Sequence, residues 1–320
     1  MTAARPVSPA RRRSIGVLAA GAALAALGVS ACAHRPPSGP AVAGPPLWRI
    51  GRPGSAGSGW LFGSVHAGLA ADEPLPPAIE RAWADADVLA IEIDSAARWS
   101  QLRDGFAAAA LLPGTDTIET LIGAGHAAAI RAHFGLDDAR WAGLRRLAPW
   151  ALLVTLAGED PLRRERPGSR GIEARLLDAA RGRSMPIVEL EQVDEQVDAL
   201  AGASLEAQAA WLLRRFEAMR RNEDLAGAII AAWRAGDDAH LATLKTRAWG
   251  ATDEPATPRG RMFGERDRRI ARRLAGLLER PHTVFTVVGA FHLVGEDALP
   301  GILAGHGIRL ERIPNERGNG

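Results

Sequence analysis

Short runs of apolar residues, bounded by glycine, proline or charged residues, predict β-strands near both ends of the chain. Residues 60–65 (WLFGSV) and 87–94 (DVLAIEID) are two such runs, and Pro76 and Pro77 open a helix between them that ends near Ala86. A strand, a helix and a strand in succession are typical of a parallel βαβ unit. Further strands are predicted at 186–190, 283–288 and 308–313, with a helix at 299–306.

The middle of the chain has a different pattern, in which apolar residues recur at spacings of three and four. This spacing predicts amphipathic helices. The ends of the fold are therefore predicted to be α/β and the middle a helical layer or insertion. The predicted helices are 117–133, 144–156, 172–181, 205–220 and 225–234, followed by an arginine-rich helix at 259–279.

Residues 1–31 have the pattern of a bacterial export signal. Four arginines and no acidic residue accompany an uninterrupted, weakly apolar run that begins at Ile15. The run is shorter than a typical membrane-spanning helix. It ends in the letters VSAC, which resemble the lipobox of bacterial lipoproteins, and Cys32 is the only cysteine in the chain. We therefore expect lipidation of Cys32; the alternatives are an ordinary signal cleaved near Ala31 and a buried free cysteine.

A tether and one large domain are expected after the signal. Residues 32–46 comprise the lipidated cysteine and a stretch rich in proline and glycine, which is typical of a semi-extended linker. Residues 47–313 are long enough to form a single domain with a substantial core. Residues 314–320 are expected to be a flexible tail.

Charge and composition narrow the classes of function. The full chain has a net charge of +2, and removal of the signal with its four arginines leaves −2, so the charge does not indicate nucleic-acid binding. Lys245 is the only lysine, no tyrosine occurs, and the sequence contains no P-loop. The single cysteine excludes a disulfide framework and a cysteine-rich zinc site.

Two histidines follow predicted strands in matching contexts. Gly63-Ser64-Val65-His66 comes after the first strand, and the second Gly-x-x-His motif ends at His292, after the strand 283–288. Because the carboxyl ends of parallel strands meet at one edge of a sheet, these histidines are candidates for a shared site. Imidazole is a common metal ligand and a general base near neutral pH. The alternative is that each histidine is a hydrogen-bonded core or rim residue.

A carboxylate is available at the end of the second predicted strand. Glu92 and Asp94 are two residues apart and would share one face of that strand. Two histidines and one carboxylate form a recognised ligand set for zinc, manganese, iron or cobalt. The alternative is that both acids pair with some of the many arginines.

Five segments of the chain together resemble a known family. They are LFGSVHAG, VLAIEID, PIVELEQVDEQVDAL, WRAGD and VVGAFHLVGEDALPGIL. The combination resembles the TraB/PrgY/GumN family over roughly residues 47–313. That family is grouped with the Tiki metalloproteases and, more distantly, with the erythromycin esterases and the haem-binding ChaN-like lipoproteins. The grouping implies a mostly parallel α/β sheet with helices on both faces, a helical middle insertion at about 100–240, and a site built from both Gly-x-x-His motifs.

The resemblance assigns roles to individual residues. His66 and His292 match the motif histidines, and Glu92 matches the acid after the second strand. Arg266 matches the arginine of the family's Glu-Arg-Asn motif, whereas Asp267 replaces the asparagine, which leaves the role of that position open.

Three further polar residues match the family's pattern, but their roles are less defined. Glu173 lies at the position of the aspartate in the family's typical Gly-x-Asp, so its side chain is longer than the one the pattern has there. Glu191 and Gln196 match the Leu-Glu and Gln of the middle strand region, and Gln196 is equally well interpreted as a capping or packing residue.

The resemblance implies a metal-dependent, peptidase-like hydrolase. A divalent ion (Mn, Co or Zn) held by His66, His292 and Glu92 would activate a water molecule. Glu92, if it is not a ligand, or otherwise Glu173, would take the proton. Arg266 would hold a carbonyl oxyanion or a substrate carboxylate; its alternative is a solvated position on the arginine-rich helix.

A second hypothesis is a non-catalytic lipoprotein that binds haem or a peptide, and a third is a scaffold with a decayed site. The expected partners are the membrane, through the N-terminal lipid, and a peptide or small-molecule substrate, with no nucleic acid. The expected location is the outer membrane, facing the periplasm. The sequence does not indicate an oligomeric state.

Overall fold

A computed structural model describes residues 44–65, 73–158 and 171–314 of the chain. Their core is one sheet of six strands in the order β4-β3-β5-β2-β1-β6. The pairs β2–β5, β5–β3 and β3–β4 are parallel, whereas β1 pairs antiparallel with β2 and β6. The strands are β1 (Leu47–Gly51), β2 (Ser58–Ser64), β3 (Val88–Ile91), β4 (Ile187–Glu189), β5 (Thr283–Gly289) and β6 (Arg309–Arg312).

Thirteen α-helices surround this sheet in the described part of the chain. Two shorter helical turns add to them, a π-helical turn at Gly260–Gly264 and a 3₁₀ turn at Ala290–Leu293. The α-helices are α1 (Pro77–Ala84), α2 (Trp99–Ala109), α3 (Ile118–Ile122), α4 (Ala124–His133), α5 (Asp138–Leu144), α6 (Pro149–Ala157), α7 (Ile172–Gly182), α8 (Val193–Ala201), α9 (Leu205–Arg220), α10 (Leu225–Ala235), α11 (Asp238–Trp249), α12 (Glu265–Leu277) and α13 (Leu299–Gly305).

The sheet is covered on both faces, which confirms the predicted α/β architecture. Phe62 and Phe285 belong to the larger apolar core, which includes α1 and the helices inserted between β3 and β5. Leu61 and Val284, their neighbours in the same strands, belong to a second core formed with α12 and α13. Successive side chains of a strand point to opposite faces, so β-branched and aromatic residues in β2 and β5 are buried on both sides.

Several predicted boundaries differ from the observed ones for local physical reasons. The helix predicted at 117–133 is divided into α3 and α4, because Gly123 has a φ of 81°, which a right-handed helix does not allow. The strand predicted at 87–94 ends at Ile91, so Glu92 lies just beyond it. Strand β1 was not predicted, since it is short and directly follows two prolines.

The N-terminal entry of the fold is fixed against the sheet. Gly44 and Pro46, which the sequence assigned to the tether, are buried. The Pro46 carbonyl accepts a hydrogen bond from the Gly63 amide at 2.8 Å. Arg312 donates to the carbonyls of Gly44 and Leu47, so the first and last strands of the described fold are joined at this edge.

The predicted signal, the predicted lipidation site Cys32 and residues 33–43 of the predicted tether lie outside the described residues, as do residues 315–320 of the predicted tail. In the part of the chain that the structure describes, no helix combines the length and the apolar character needed to cross a bilayer.

Candidate active site

The carboxyl ends of β2, β3 and β5 meet at one edge of the sheet, where the structure has a cavity of about 160 Å³. Ser64, Glu92 and His292 line the side of the cavity that the strands form. The other side is largely apolar. It includes Leu102, Phe106, Leu200, Ile229 and Phe263 from the helical segments. The cavity therefore has the position that ligand sites usually take in α/β proteins, with a polar floor and an apolar wall.

His292 lies in the 3₁₀ turn that directly follows β5, and its side chain is buried. The Nδ1 atom makes a hydrogen bond with Oδ1 of Asp267. The Nε2 atom lies 3.2 Å from Nη1 of Arg266 and 3.6 Å from Oε1 of Glu92. A carboxylate on Nδ1 favours the tautomer with a proton there, which leaves the Nε2 lone pair for a donor, a cation or a proton.

Arg266 is buried at the start of α12 and is bound to protein groups on every side. Its Nε and Nη2 atoms donate to the two oxygens of Glu191, at 2.6 Å and 2.7 Å, and Nη2 also donates to Glu92 at 2.8 Å. The Nη1 atom lies 3.3 Å from the Met262 carbonyl and 3.2 Å from the imidazole of His292. Burial would lower the pKa of the guanidinium, but the charges of Glu191 and Glu92 outweigh it, so the pKa is raised. The arginine organises the floor of the cavity.

Glu92 joins β3 to β5 across the floor. Its Oε1 accepts a hydrogen bond from the Gly289 amide at 2.7 Å, and its Oε2 accepts one from Arg266. Asp94 goes elsewhere, because the chain leaves the strand before it; its carboxylate pairs with Arg181 at 2.6 Å. Both acids thus pair with arginines, and only Glu92 belongs to the site.

Glu173 and Gln196 also line the cavity, each bound to a polar neighbour. The Ser64 hydroxyl, at the end of β2, donates to Oε1 of Glu173, which lies in the first turn of α7. The Gln196 side-chain amide donates to Oε2 of Glu191. Gln196 therefore holds the acid that binds Arg266, a role beyond capping or packing.

His66 lies outside the described residues, so its predicted meeting with His292 stays a prediction. In the described ranges, no group of three or more His, Cys, Asp or Glu side chains is placed to hold a metal ion. These ranges do provide two donors that border the cavity, Nε2 of His292 and Oε1 of Glu92. A metal site with three protein ligands would therefore need a ligand from outside these ranges.

The chemistry of these donors fits a divalent cation. A carboxylate on the distal nitrogen, as Asp267 provides, is the usual partner of a metal-bound imidazole. Among the described residues, the carboxylates of Glu92 and Glu191 pair with the guanidinium of Arg266, and the carboxylate of Asp267 binds His292. These three carboxylates and one guanidinium have a formal charge of −2 when the imidazole is counted as neutral. A cation at Nε2 would replace the contact with Nη1 of Arg266.

The sequence contained a signal for the burial of Arg266 and Asp267. Both precede Ile270 and Leu274 at helical spacings, on the face of α12 that is buried. Arg268 and its neighbour Arg272 lie on the opposite face, exposed and paired with Glu265. The solvated-face alternative is therefore correct for those residues and wrong for Arg266.

The model of the TraB/PrgY/gumN family matches residues 46–312 of this chain. The searches of curated proteins and of solved structures gave no match.

Proposed function

We propose that this chain, which belongs to the TraB/PrgY/gumN family, is a hydrolase that cleaves an amide or ester bond at the polar floor of the cavity. The observation that supports this most is the arrangement around His292. Asp267 holds Nδ1, while Nε2 faces Glu92 and the guanidinium of Arg266 next to the cavity. A carboxylate-oriented imidazole beside further acids is a common basis for activating water.

A divalent cation fits this proposal, with His292, Glu92 and His66 as its ligands. When bound, such an ion lowers the pKa of a water molecule towards neutrality and polarises a carbonyl oxygen. Mn, Co and Zn all accept imidazole and carboxylate ligands, and we propose one of these three as the metal.

Glu173 is the base in this scheme, because it lines the cavity and Glu92 is assigned as a ligand. Its carboxylate takes a proton from water as the oxygen bonds to the carbonyl carbon. It then passes this proton to the leaving nitrogen or oxygen as the scissile bond breaks. Ser64 orients the carboxylate through its hydroxyl. Arg266 has protein partners for its N–H groups, so we assign it the positioning of Glu92 and His292 instead of oxyanion binding.

The wall of the cavity indicates the type of substrate. Phe106, Ile229 and Phe263 offer apolar surface directly above the polar floor. An apolar side chain next to the scissile bond would be bound there, which suits a peptide or a small molecule with an apolar group.

Replacing His292 by alanine is expected to remove a stoichiometric divalent metal and to lower hydrolysis of peptide and ester probes by about 100-fold or more. The same loss is expected for His66→Ala. The measurements are elemental analysis and hydrolysis rates of the mature protein, purified from membranes in detergent. His306→Ala, which changes an exposed histidine at the end of α13, is the matched control and should keep both properties.

Metal content and hydrolysis that are unchanged in both histidine variants would contradict the proposal. Stoichiometric haem with a Soret band, without a tightly bound divalent metal, would favour the binding function instead.

We further propose that the mature protein is anchored in the outer membrane by lipid on Cys32. The support is the sequence pattern of residues 1–32 and the position of the only cysteine. Cys32→Ser is expected to abolish incorporation of labelled fatty acid. The variant should then be found either in the soluble fraction or as the uncleaved precursor, instead of as a mature protein in the membrane fraction. Mass spectrometry of the N-terminal peptide measures this. An unmodified Cys32 in membrane-bound wild-type protein would contradict the proposal.

A further inference from the structure

The apolar wall of the cavity is made of side chains that also belong to the core. Phe106 from α2, Trp249 from the end of α11 and Phe263 from the π-helical turn all line the cavity. Each of the three is at most 5% exposed and belongs to the larger apolar core. Because side chains in a close-packed core have little freedom to move, the wall has a defined shape.

A series of aromatic contacts supports Phe263. Its ring meets the ring of Trp249 edge-on at a centroid distance of 5.7 Å, and Trp249 is stacked on Trp211 at 4.9 Å. The indole N–H of Trp211 donates to the Ala248 carbonyl at 2.8 Å, which fixes the stack to α11. The position of this part of the wall is therefore determined by α9 and α11.

Phe106 is supported separately, by α6. Its ring centre lies 5.8 Å from that of Trp150, and among the described residues Trp150 is the one aromatic ring that it contacts. Phe263 differs in this respect, because its ring lies 5.0 Å from the imidazole of His292. A change of size at Phe106 therefore alters the cavity without removing a ring contact of the imidazole.

The volume of the cavity limits what the wall can bind. The cavity has about 160 Å³, and an engineered protein cavity of about 150 Å³ with an apolar lining binds benzene. Pockets that enclose a whole drug-sized ligand are larger, at about 300–1,000 Å³. The space next to the polar floor therefore suits a single ring or a branched aliphatic group better than a fused ring system.

We propose that this part of the cavity is a specificity pocket for one substrate side chain of the size of leucine or phenylalanine, and that Phe106 sets its upper size limit. The inference rests on the proposed function, because this side chain belongs to the residue next to the scissile bond. A larger side chain would have to displace Phe106 from Trp150. A much smaller one would leave part of the wall without contacts.

Binding of capped amino acids tests the pocket without hydrolysis. The probes are the N-acetyl methylamides of alanine, leucine, phenylalanine and 2-naphthylalanine, titrated by calorimetry into the mature protein in detergent. The leucine and phenylalanine probes are expected to bind at least about 10-fold more tightly than the other two, since even one methylene group in an apolar pocket changes selectivity about 10- to 200-fold. Equal affinities of the four probes, or no binding of the phenylalanine probe at millimolar concentration, would overturn the proposal.

A series of substitutions at one position tests the role of Phe106. Phe106→Ala removes a ring from the wall, so naphthylalanine should bind more tightly than phenylalanine in this variant. Phe106→Trp enlarges the ring, so the phenylalanine probe should lose affinity relative to the alanine probe. Phe106→Leu is a milder change that should shift the preference in the same direction as Phe106→Ala, and it provides the test if the alanine variant does not fold.

Phe134→Ala is the matched control for these variants. It removes a half-buried ring that packs against Phe216 and does not line the cavity. The control should keep the wild-type order of affinities. An order that stays the same in the Phe106 variants, or that changes equally in Phe134→Ala, would overturn the assignment of Phe106.

Hydrolysis of matching compounds separates this inference from the proposed function. The compounds are the 4-nitroanilides of the same four N-acetyl amino acids, compared by kcat/KM. The expected order of affinities without hydrolysis of any anilide, peptide or ester would overturn only the proposed function. Hydrolysis with equal kcat/KM for alanine, phenylalanine and naphthylalanine would overturn only the specificity pocket.

Discussion

Replacing Arg266 by methionine is expected to lower the free energy of unfolding by about 3–5 kcal/mol, because it leaves buried carboxylates without their cation. Glu191 is 1% exposed and has both oxygens bound to this guanidinium. Glu92 and His292 also lose a neighbour. Methionine has a similar length, so the change tests the charge more than the volume. Urea unfolding followed by tryptophan fluorescence measures the effect.

Two variants make this result interpretable. Arg266→Met with Glu191→Gln removes both partners of the closest pair, so it should recover part of the stability lost in the single variant. Arg272→Met removes an exposed arginine of the same helix, paired with Glu265 at 3.4 Å, and should change the stability by about 0.5 kcal/mol or less. A loss for Arg266→Met as small as that for Arg272→Met would show that the guanidinium does not stabilise the buried carboxylates.

The second large effect has the opposite sign: Lys245→Met is expected to stabilise the protein at neutral pH. Burial lowers the pKa of this lysine from 10.5 to about 8, so below pH 8 the folded state contains a buried ammonium group that is hydrated in the unfolded state. One pKa unit corresponds to about 1.4 kcal/mol, which gives a gain of about 3 kcal/mol for the variant.

The pH dependence identifies the cause of this gain. Because the folded-state pKa is below the unfolded-state value, the unfolded state binds more protons between about pH 8 and 10.5, so wild-type stability rises across this window. The methionine variant has no lysine to make such a contribution, so the difference in stability between the two proteins should disappear above this range.

Lys245→Arg keeps a charge and should show no gain in stability at pH 7. An equal or lower stability of Lys245→Met at pH 7 would contradict the prediction. A lysine that reduces stability at this position is consistent with a functional role.

The parts of the fold that local sequence patterns determine were predicted well. The strand at 283–288 and the helices at 205–220 and 172–181 have clear alternation or helical spacing, and the structure confirms them within one residue. Strand β1 has no such pattern; it is held by pairing with β2 and β6, which are contacts between distant parts of the chain. Such pairings cannot be derived from local propensity alone.

In the candidate site, too, features set by local sequence were predicted and features set by long-range packing were not. Glu92 and His292 were predicted because each follows a strand, and strand ends converge in a parallel sheet. The contacts of Asp267, Glu191 and Lys245 depend instead on packing between α11, α12 and the sheet. Arg266, for example, pairs with Glu92 although the two residues are 174 positions apart in the sequence. The buried face of each helix was visible in the spacing, but the partner of a charged residue on that face was not.

The contacts of residues 44–47 with Arg312 and β2 also determine how the protein can be shortened. A version that begins at Leu47, the start of β1, would lack the Gly44 carbonyl that binds Arg312 and the Pro46 carbonyl that binds the Gly63 amide. That amide directly precedes Ser64 in the cavity wall. A shortened form intended for crystallisation should therefore start upstream of Gly44, even though the family match begins at residue 46.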